Sequence, residues 1–172
     1  MAWPSIEVVE AERVRLEPLT VDHAESMVDV LADASLYRFT GGQPPTLSEL
    51  QRRYAMQTIG QSDDGSQWWL NWIVQARDSA RAIGYVQATV QSRDAIREAS
   101  IAWVISPDIQ GRGLATEAAS AMVGWLKLRG VERFVAEIHP GHAASQSVAR
   151  KLGLRPSTSV EDGEVRWQSF AE

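Results

Sequence analysis

A short glycine-containing segment near the middle of the chain has the composition of an anion-binding turn. The segment QGRGLAT (110–116) follows a strand-like stretch and leads directly into a predicted helix. The first N–H groups of a helix have no intrahelical partners and lie at the positive end of the helix dipole, so they bind anions. Gly113 and Ala115 keep bulky side chains away from these groups, and Arg112 adds a cation. The pattern therefore predicts a binding site for a pyrophosphate.

Two common phosphate-binding motifs do not fit this segment. A P-loop requires lysine followed by serine or threonine after its second glycine, whereas Leu114 and Ala115 follow Gly113 here. The dinucleotide fingerprint requires a third small residue three positions after the second glycine, and Thr116 occupies that position. What remains is a strand over 101–105, a tight turn at Pro107 and then a long helix.

The spacing Gln110-x-x-Gly113-x-Ala115 resembles the Q/R-x-x-G-x-G/A acetyl-CoA motif of the GNAT N-acetyltransferase superfamily. The likeness extends over nearly the whole chain, because ERVRLEPLTVDHA (12–24) resembles the opening strand and helix of that superfamily. Two further segments resemble its ribosomal-protein N-acetyltransferase (RimJ/RimL-like) branch, namely IAWVISPDIQGRGLATEA (101–118) and AEIHPGHAASQSVARKLGL (136–154).

The resemblance implies both a fold and a reaction. The implied fold is α/β (α+β), with a mixed, mostly antiparallel sheet of six to seven strands, about four helices and a central splay that holds CoA. The implied reaction is direct attack of an amine on the thioester of acetyl-CoA in a ternary complex, without an acyl-enzyme and without a metal. The chain contains no cysteine, which is consistent with that route.

The resemblance also implies how acetyl-CoA is bound. Backbone N–H groups over 112–116 would bind the pyrophosphate, and the strand edge at 104–105 would pair with the pantetheine arm as an added strand does. A backbone N–H at this edge would stabilise the developing oxyanion. The cofactor-binding residues expected on this basis are Val104, Ile105, Gln110, Gly111, Arg112, Gly113, Leu114, Ala115, Thr116, His142 and Ser145.

Two glutamates are candidates for the general base. Family members often have a glutamate where Ser100 stands, and Glu98 lies two residues earlier on the same strand face. Glu137 matches the catalytic glutamate of related N-terminal acetyltransferases. A carboxylate serves as a base when burial raises its pKa, or through a water molecule. Either glutamate can equally be a solvated strand residue.

The general acid is less clearly marked. Many GNAT enzymes carry a tyrosine where Ala149 stands, so protonation of the thiolate would pass to Ser145 or to water. Ser145 can also be a helix residue with only a local backbone hydrogen bond. His142 replaces an asparagine that the family uses near the pantetheine. His139 and His142 are not expected to bind metal, because Pro140 and Gly141 disfavour a helical ligand pair.

The elements that must position these residues follow the order β-α-α-β-β-β-α-β-α-β-β. Period-two alternation predicts a strand over 13–19, and Thr20 is a candidate N-cap for the next helix. Thr46 or Ser48 begins a second helix that ends near Ile59. Further strands are predicted over 68–76, 81–92, 98–106 and 133–139, and helices from Leu114 and over 142–153. Asp162-Gly163 predicts a hairpin turn.

Composition limits the function further. The 172 residues carry a formal net charge of −5 and a pI near 5.3, whereas a general nucleic-acid binder is basic. No run of about 18 apolar residues occurs, so no membrane partner is expected. We expect one domain over 1–172 and a cytoplasmic protein whose partners are acetyl-CoA and an amine, and family analogy leaves a homodimer open.

Two questions remain open at the level of sequence. The segment WWLNW (68–72) is either sheet core or an aromatic wall for a cationic acceptor, together with Tyr37, Arg38 and Phe39. The absence of a tyrosine at position 149 and the presence of His142 are also compatible with a non-catalytic acyl-CoA sensor or scaffold. An acyl group longer than acetyl is a third alternative, and the sequence does not identify the acceptor.

Overall fold

One mixed sheet organises the chain. The computed structural model describes residue 3 and residues 5–169. Its strands are β1 (Val9–Glu10), β2 (Val14–Pro18), β3 (Gln67–Ala76), β4 (Ala82–Arg93), β5 (Ile96–Ile105), β6 (Arg133–Ile138), β7 (Leu154–Glu161) and β8 (Glu164–Ser169). Its α-helices are α1 (His23–Val30), α2 (Leu47–Gln57), α3 (Leu114–Lys127) and α4 (Ala143–Lys151). Two short 3-10 turns lie at Ala34–Tyr37 and Pro107–Ile109.

The sheet confirms the predicted fold class but has eight strands, in the order β1-β2-β3-β4-β5-β6-β8-β7. The strand that the sequence did not predict is β1, which spans only Val9–Glu10 and is therefore too short to show a period of two. All neighbouring strands are antiparallel except β5 and β6, which are parallel. The family resemblance implied this mostly antiparallel arrangement.

The sequence predicted the start of one helix and one hairpin turn correctly, and both depend on residues close together in the chain. The Thr46 side chain accepts a hydrogen bond from the Glu49 N–H at 3.2 Å and caps α2, so the helix starts from Thr46 as its N-cap rather than from Ser48, the two starts that the sequence offered. The prediction for Thr20 is wrong, because its hydroxyl contacts Nδ1 of His23 at 3.2 Å and α1 begins only at His23. Asp162 and Gly163 have φ values of +50° and +80°, which fits the predicted tight hairpin.

The two faces of the sheet pack against different helices. One face lies under α3 and forms the larger core, in which Trp72, Val86 and Met122 are fully buried. The opposite face packs against α1 and α2, where Met27, Leu50 and Ile73 form a second core. Because side chains alternate along a strand, the neighbours Trp72 and Ile73 belong to different cores.

The parallel strands separate after a short paired stretch. Glu98, Ala99 and Ser100 of β5 pair with residues 133–135 of β6, and the pairing described for these strands extends no further. From Ile101 onward β5 leaves β6 while remaining paired with β4 up to Ile105. This divergence is the central splay that the family resemblance implied. No helix of the described residues is long and apolar enough to cross a membrane.

Candidate active site

A cavity of about 680 Å³ occupies the splay between β5 and β6. Its walls come from the end of β5, the turn before α3, the end of β6 and the start of α4. Residues of the segment 35–40, which follows α1, also line the cavity. This volume lies within the usual range for small-molecule and cofactor sites.

The N-terminus of α3 opens into this cavity. Gly111 and Gly113 have φ values of +81° and +78°, and Gly113 is the N-cap of α3. The positive φ values explain the two glycines, since a Cβ would meet nothing within 4 Å at Gly111 and only Arg13 Nη2 at 3.4 Å at Gly113. No side chain caps α3. The N–H groups at the start of the helix are therefore free to bind an anion.

The structure brings most of the predicted cofactor residues together. Those that line the cavity are Val104, Ile105, Gln110, Gly111, Gly113, Leu114, Ala115, Thr116, His142 and Ser145.

Arg112 does not line the cavity, contrary to the expectation that its side chain adds a cationic contact there. Its carbonyl accepts a hydrogen bond from Nη1 of Arg13 at 2.8 Å. Arg13 thus holds the turn through the backbone carbonyl of Arg112.

The backbone at the end of β5 lines the cavity at Val104 and Ile105. The Ser106 N–H donates to the Ile83 carbonyl at 2.7 Å and so points toward β4. Because successive residues of a strand direct their amides to opposite sides, the amide of Ile105 faces the edge that β6 has left. Gln110 Nε2 donates to the Ile105 carbonyl at 2.9 Å, which holds the turn against the strand.

Gly84 allows β4 to approach this end of β5 closely. A Cβ built on Gly84 would lie 2.0 Å from the Val104 carbonyl oxygen, so no side chain fits there without backbone movement. A lone glycine within a strand pattern is a signal of such an approach, and the sequence analysis did not single out Gly84.

A carboxylate that the sequence did not single out fixes the start of α3. Glu117 pairs with Nε of Arg13 at 2.8 Å and accepts from the N–H groups of Arg13 and Val14 at 2.7 and 3.1 Å. Burial opposes ionisation of this carboxyl, but the hydrogen bonds from Arg13 and Val14 outweigh it and lower the pKa of Glu117. Arg13 and Glu117 are 104 residues apart, so no local pattern reveals the contact.

Glu98 does not line the cavity. Its side chain is only 3% exposed and lies on the paired stretch of β5, before the strands separate. Arg166, Arg133 and Arg93 surround it at 3.2, 3.4 and 3.9 Å. These contacts satisfy the Glu98 carboxylate within the protein, outside the cavity lining.

Glu137 does line the cavity, on β6. Its side chain is 33% exposed, and Nη1 of Arg166 lies 3.5 Å from its Oε1. Burial raises the pKa of Glu137, Arg166 lowers it, and the nearby carboxylates of Glu164 and Glu161 raise it further, with a net increase. Glu164 also lines the cavity, a residue that the sequence analysis missed.

The start of α4 contributes an imidazole and a hydroxyl. His142 Nε2 lies 3.4 Å from Oγ of Ser145, and the His142 ring stacks on Phe39 with centroids 4.7 Å apart. Burial, and then the neighbouring His139, lower the pKa of His142. His139 Nδ1 accepts the Gly141 N–H at 2.9 Å. No group of three or more potential metal ligands occurs among residues 3 and 5–169.

The tryptophans of WWLNW do not reach this cavity. Trp72 is fully buried in the core under α3, and Trp68 packs on Trp3 with ring centroids 5.5 Å apart. Of the residues expected to accompany them in an aromatic wall, Arg38 and Phe39 line the cavity. The core interpretation therefore holds for Trp72, and the aromatic side chains that do line the cavity are Phe39, Tyr85 and Trp103.

Comparison with known proteins agrees with this geometry. The family model of the acetyltransferase (GNAT) domain matches residues 13–155. No curated protein sequence is significantly similar to the chain.

Among solved structures, RimL, a ribosomal L7/L12 alpha-N-protein acetyltransferase in complex with coenzyme A, is 14% identical with a TM-score of 0.74. The match covers 96% of this chain and 98% of that one. A putative ribosomal-protein-serine acetyltransferase from Vibrio cholerae is 17% identical with a TM-score of 0.74, over 97% of this chain and 98% of that one. AAC(6')-Ib in complex with paromomycin and acetyl-CoA is 18% identical with a TM-score of 0.76, over 92% and 93%.

At these identities the structural likeness establishes a shared fold, and the family match covers most of the sequence. The chain belongs to the GNAT acetyltransferase domain family and is an acyltransferase.

Proposed function

We propose that the protein transfers an acetyl group from acetyl-CoA to a primary amine by direct attack in a ternary complex. The observation that carries the proposal is that a single cavity is lined both by the uncapped N-terminus of α3 and by Glu137. The first feature suits the pyrophosphate of CoA, and the second suits removal of a proton from the amine.

Acetyl-CoA would lie along the open edge of β5. The pyrophosphate would accept hydrogen bonds from N–H groups over 111–116, and the pantetheine arm would follow the strand in place of β6. We assign the Ile105 N–H, which faces this edge, as the donor that stabilises the oxyanion on the thioester carbonyl. His142 and Ser145 would contact the arm from the other wall.

Glu137 is the base that the geometry favours. The amine nitrogen attacks the thioester carbon, the C–S bond breaks, and the proton lost by the amine passes to Glu137 directly or through water. The raised pKa of Glu137 makes it a better base than a glutamate of ordinary pKa, while the contact with Arg166 favours its ionised form. The departing thiolate would take a proton from Ser145 or from water.

The acceptor would approach from the side of α1. Glu137 on β6 and Glu164 on β8 place negative charge in the cavity wall, which favours a cationic amine beside them. The structural relatives act on, or are bound to, acceptors as different as a ribosomal protein and paromomycin. Both a protein or peptide N-terminus and a small-molecule amine are therefore acceptor classes within the proposal.

The proposal is tested by following thiol release from acetyl-CoA in the presence of a panel of peptide and small-molecule amines. We expect amine-dependent thiol release, with an acetylated product of matching stoichiometry in the mass spectrum. Acetyl-CoA without amine is the control for hydrolysis. Thiol release that is independent of every amine would contradict acyl transfer to nitrogen.

A non-catalytic acyl-CoA sensor is the second candidate. It is favoured by one observation: α4 carries Ala149 where many GNAT enzymes have a tyrosine, and Ala149 is fully buried. Tight CoA binding without turnover on any amine, unchanged by Glu137→Gln, would favour this function over catalysis.

A further inference from the structure

A second, smaller pocket lies on the other side of Tyr85. We call it the tyrosine pocket, and its polar side chains are Arg53, Tyr54, Gln57, Asn71, Tyr85 and Gln87. They come from α2, β3 and β4, and the pocket volume is about 40 Å³. Tyr85 lines both this pocket and the large cavity, so the two sites are adjacent.

The most unusual group in the tyrosine pocket is the hydroxyl of Tyr54. Tyr54 is 4% exposed, and its hydroxyl has no hydrogen-bond partner among the described residues. A buried polar group without a partner is costly, and such groups are rare in folded proteins. Burial raises the pKa of this phenol, so Tyr54 stays a neutral donor at physiological pH.

The remaining polar side chains are also available to a ligand. The side chains of Gln57, Asn71 and Gln87 take part in none of the hydrogen bonds found within residues 3 and 5–169. Arg53 forms no ion pair within that part of the chain. The pocket thus combines a guanidinium, two phenols and three amides, with no carboxylate among its lining residues.

This donor set selects the chemistry of the ligand. Arginine binds carboxylates through parallel N–H groups, and a phenol donates a short hydrogen bond to a carboxylate oxygen. The volume has room for about three water-sized groups, which matches the three heavy atoms of a carboxylate. A cationic group would instead meet Arg53 without a counter-ion.

We propose that the tyrosine pocket binds a carboxylate of the acceptor, so that the preferred acceptors are amines that also carry a carboxylate. The inference rests on the proposed function, because it assumes that the acceptor amine reaches the large cavity. Glu137 would then face the amine, and Arg53 would face the carboxylate, with Tyr85 between the two sites. The two ends of the acceptor would be recognised by opposite charges.

The test compares ω-amino carboxylates of four to eight carbons with their carboxamides as acceptors. We expect kcat/KM to be about 10-fold higher or more for the best carboxylate than for its carboxamide. Arg53→Gln should remove this preference by lowering kcat/KM for the carboxylates alone. Arg52→Gln, on the same helix but outside the pocket, is the matched control and should change neither series.

Tyr54→Phe gives a readout that a purely structural role would not produce. Removing the unpartnered hydroxyl should raise Tm by about 2–4 °C in the free protein, because the buried donor is no longer unsatisfied. The same variant should lower kcat/KM for the carboxylates. A lower Tm would show that the hydroxyl serves the fold and would overturn its role in acceptor binding.

A binding measurement separates this inference from the proposed function. Titration of 6-aminohexanoate into the protein with CoA should shift the side-chain amide NMR signals of Asn71 and Gln87, and Arg53→Gln should abolish the shift. The shift without turnover would support the pocket and contradict catalysis. Equal effects of 6-aminohexanoate and its carboxamide would indicate a pocket for water only and would overturn the inference.

Discussion

The two halves of the β5–β6 junction place the same residue type in opposite settings. In the paired half, Glu98 is 3% exposed and is contacted by three arginines. In the splayed half, Glu137 lines a cavity beside a second carboxylate, Glu164, and is contacted by one arginine. The paired half satisfies its carboxylate internally, whereas the splayed half leaves its carboxylate available to a substrate.

Arg166 connects the two settings. Its Nη2 lies 3.2 Å from Glu98 and its Nη1 lies 3.5 Å from Glu137. The buried Glu98 therefore holds the Arg166 guanidinium beside Glu137, the carboxylate that lines the cavity. A substitution of Glu98 can therefore change the stability of the fold, the charge beside Glu137, or both. Measurements of unfolding and of activity distinguish these effects.

The largest expected effect distinguishes the two glutamates directly. Glu137→Gln should lower kcat about 10²–10⁴-fold, as expected for the loss of a general base, with little change in the free energy of unfolding. Glu98→Gln should lower the free energy of unfolding by about 1–3 kcal/mol, because its arginine partners lose a charged acceptor. Steady-state kinetics and urea unfolding of both variants measure the two effects. The comparison fails if Glu98→Gln loses activity without losing stability.

CoA binding should depend on the turn before α3. Gly113→Glu places an L-residue at a φ of +78° and a carboxylate beside the expected pyrophosphate. The Kd for CoA, measured by calorimetry, should rise about 100-fold, which corresponds to ~2.7 kcal/mol.

The matched control is Gly130→Glu, at a φ of +81° beyond the other end of α3. This variant carries the same backbone strain but lies outside the cavity lining, so its CoA affinity should be unchanged. If Gly113→Glu binds CoA with undiminished affinity, the pyrophosphate does not bind at this turn.

The geometry of the splay should depend on Gly84. Gly84→Ala pushes a Cβ against the Val104 carbonyl and should cost about 1–3 kcal/mol of stability while weakening CoA binding. Gly124→Ala on α3 is the control, because its Cβ meets nothing within 4 Å and should stabilise the helix by about 0.5–1 kcal/mol. Thermal unfolding of both variants tests the contrast, and similar shifts of Tm would contradict it.

The smallest effect concerns pH. Arg166 lowers the pKa of Glu137, while burial and the carboxylates of Glu164 and Glu161 raise it. Arg166→Gln should therefore raise the pKa of Glu137. Because the base must be deprotonated, the acidic limb of the pH profile of kcat should move to higher pH. Arg93→Gln, which touches Glu98 but not Glu137, should leave the limb in place. A limb that moves to lower pH would exclude Glu137 as the titrating base.

The sequence predicted those parts of the molecule that depend on neighbouring residues. The start of α3 at Leu114, the cap at Thr46 and the turn at Asp162-Gly163 are encoded within a few positions, and the structure contains all three. The family motifs predicted the fold class and the splay. The first strand was missed because two residues carry no pattern.

The choice between the two glutamates could not be made from the sequence. Glu98 and Glu137 both stand on strands, and their difference arises from Arg133 and Arg166, which lie 35 and 68 residues beyond Glu98. The same holds for Arg112, whose backbone is held by Arg13 at a separation of 99 residues. Such contacts arise from the topology of the sheet, and the spacing of neighbouring residues in the sequence does not predict them.

A crystal structure of the protein with acetyl-CoA bound tests the central claim most directly. The account predicts the pyrophosphate on the N–H groups of residues 111–116, the pantetheine along the open edge of β5, and the thioester between Ile105 and Glu137. A thioester that lies outside the splay, or nearer to Glu98 than to Glu137, would contradict the account.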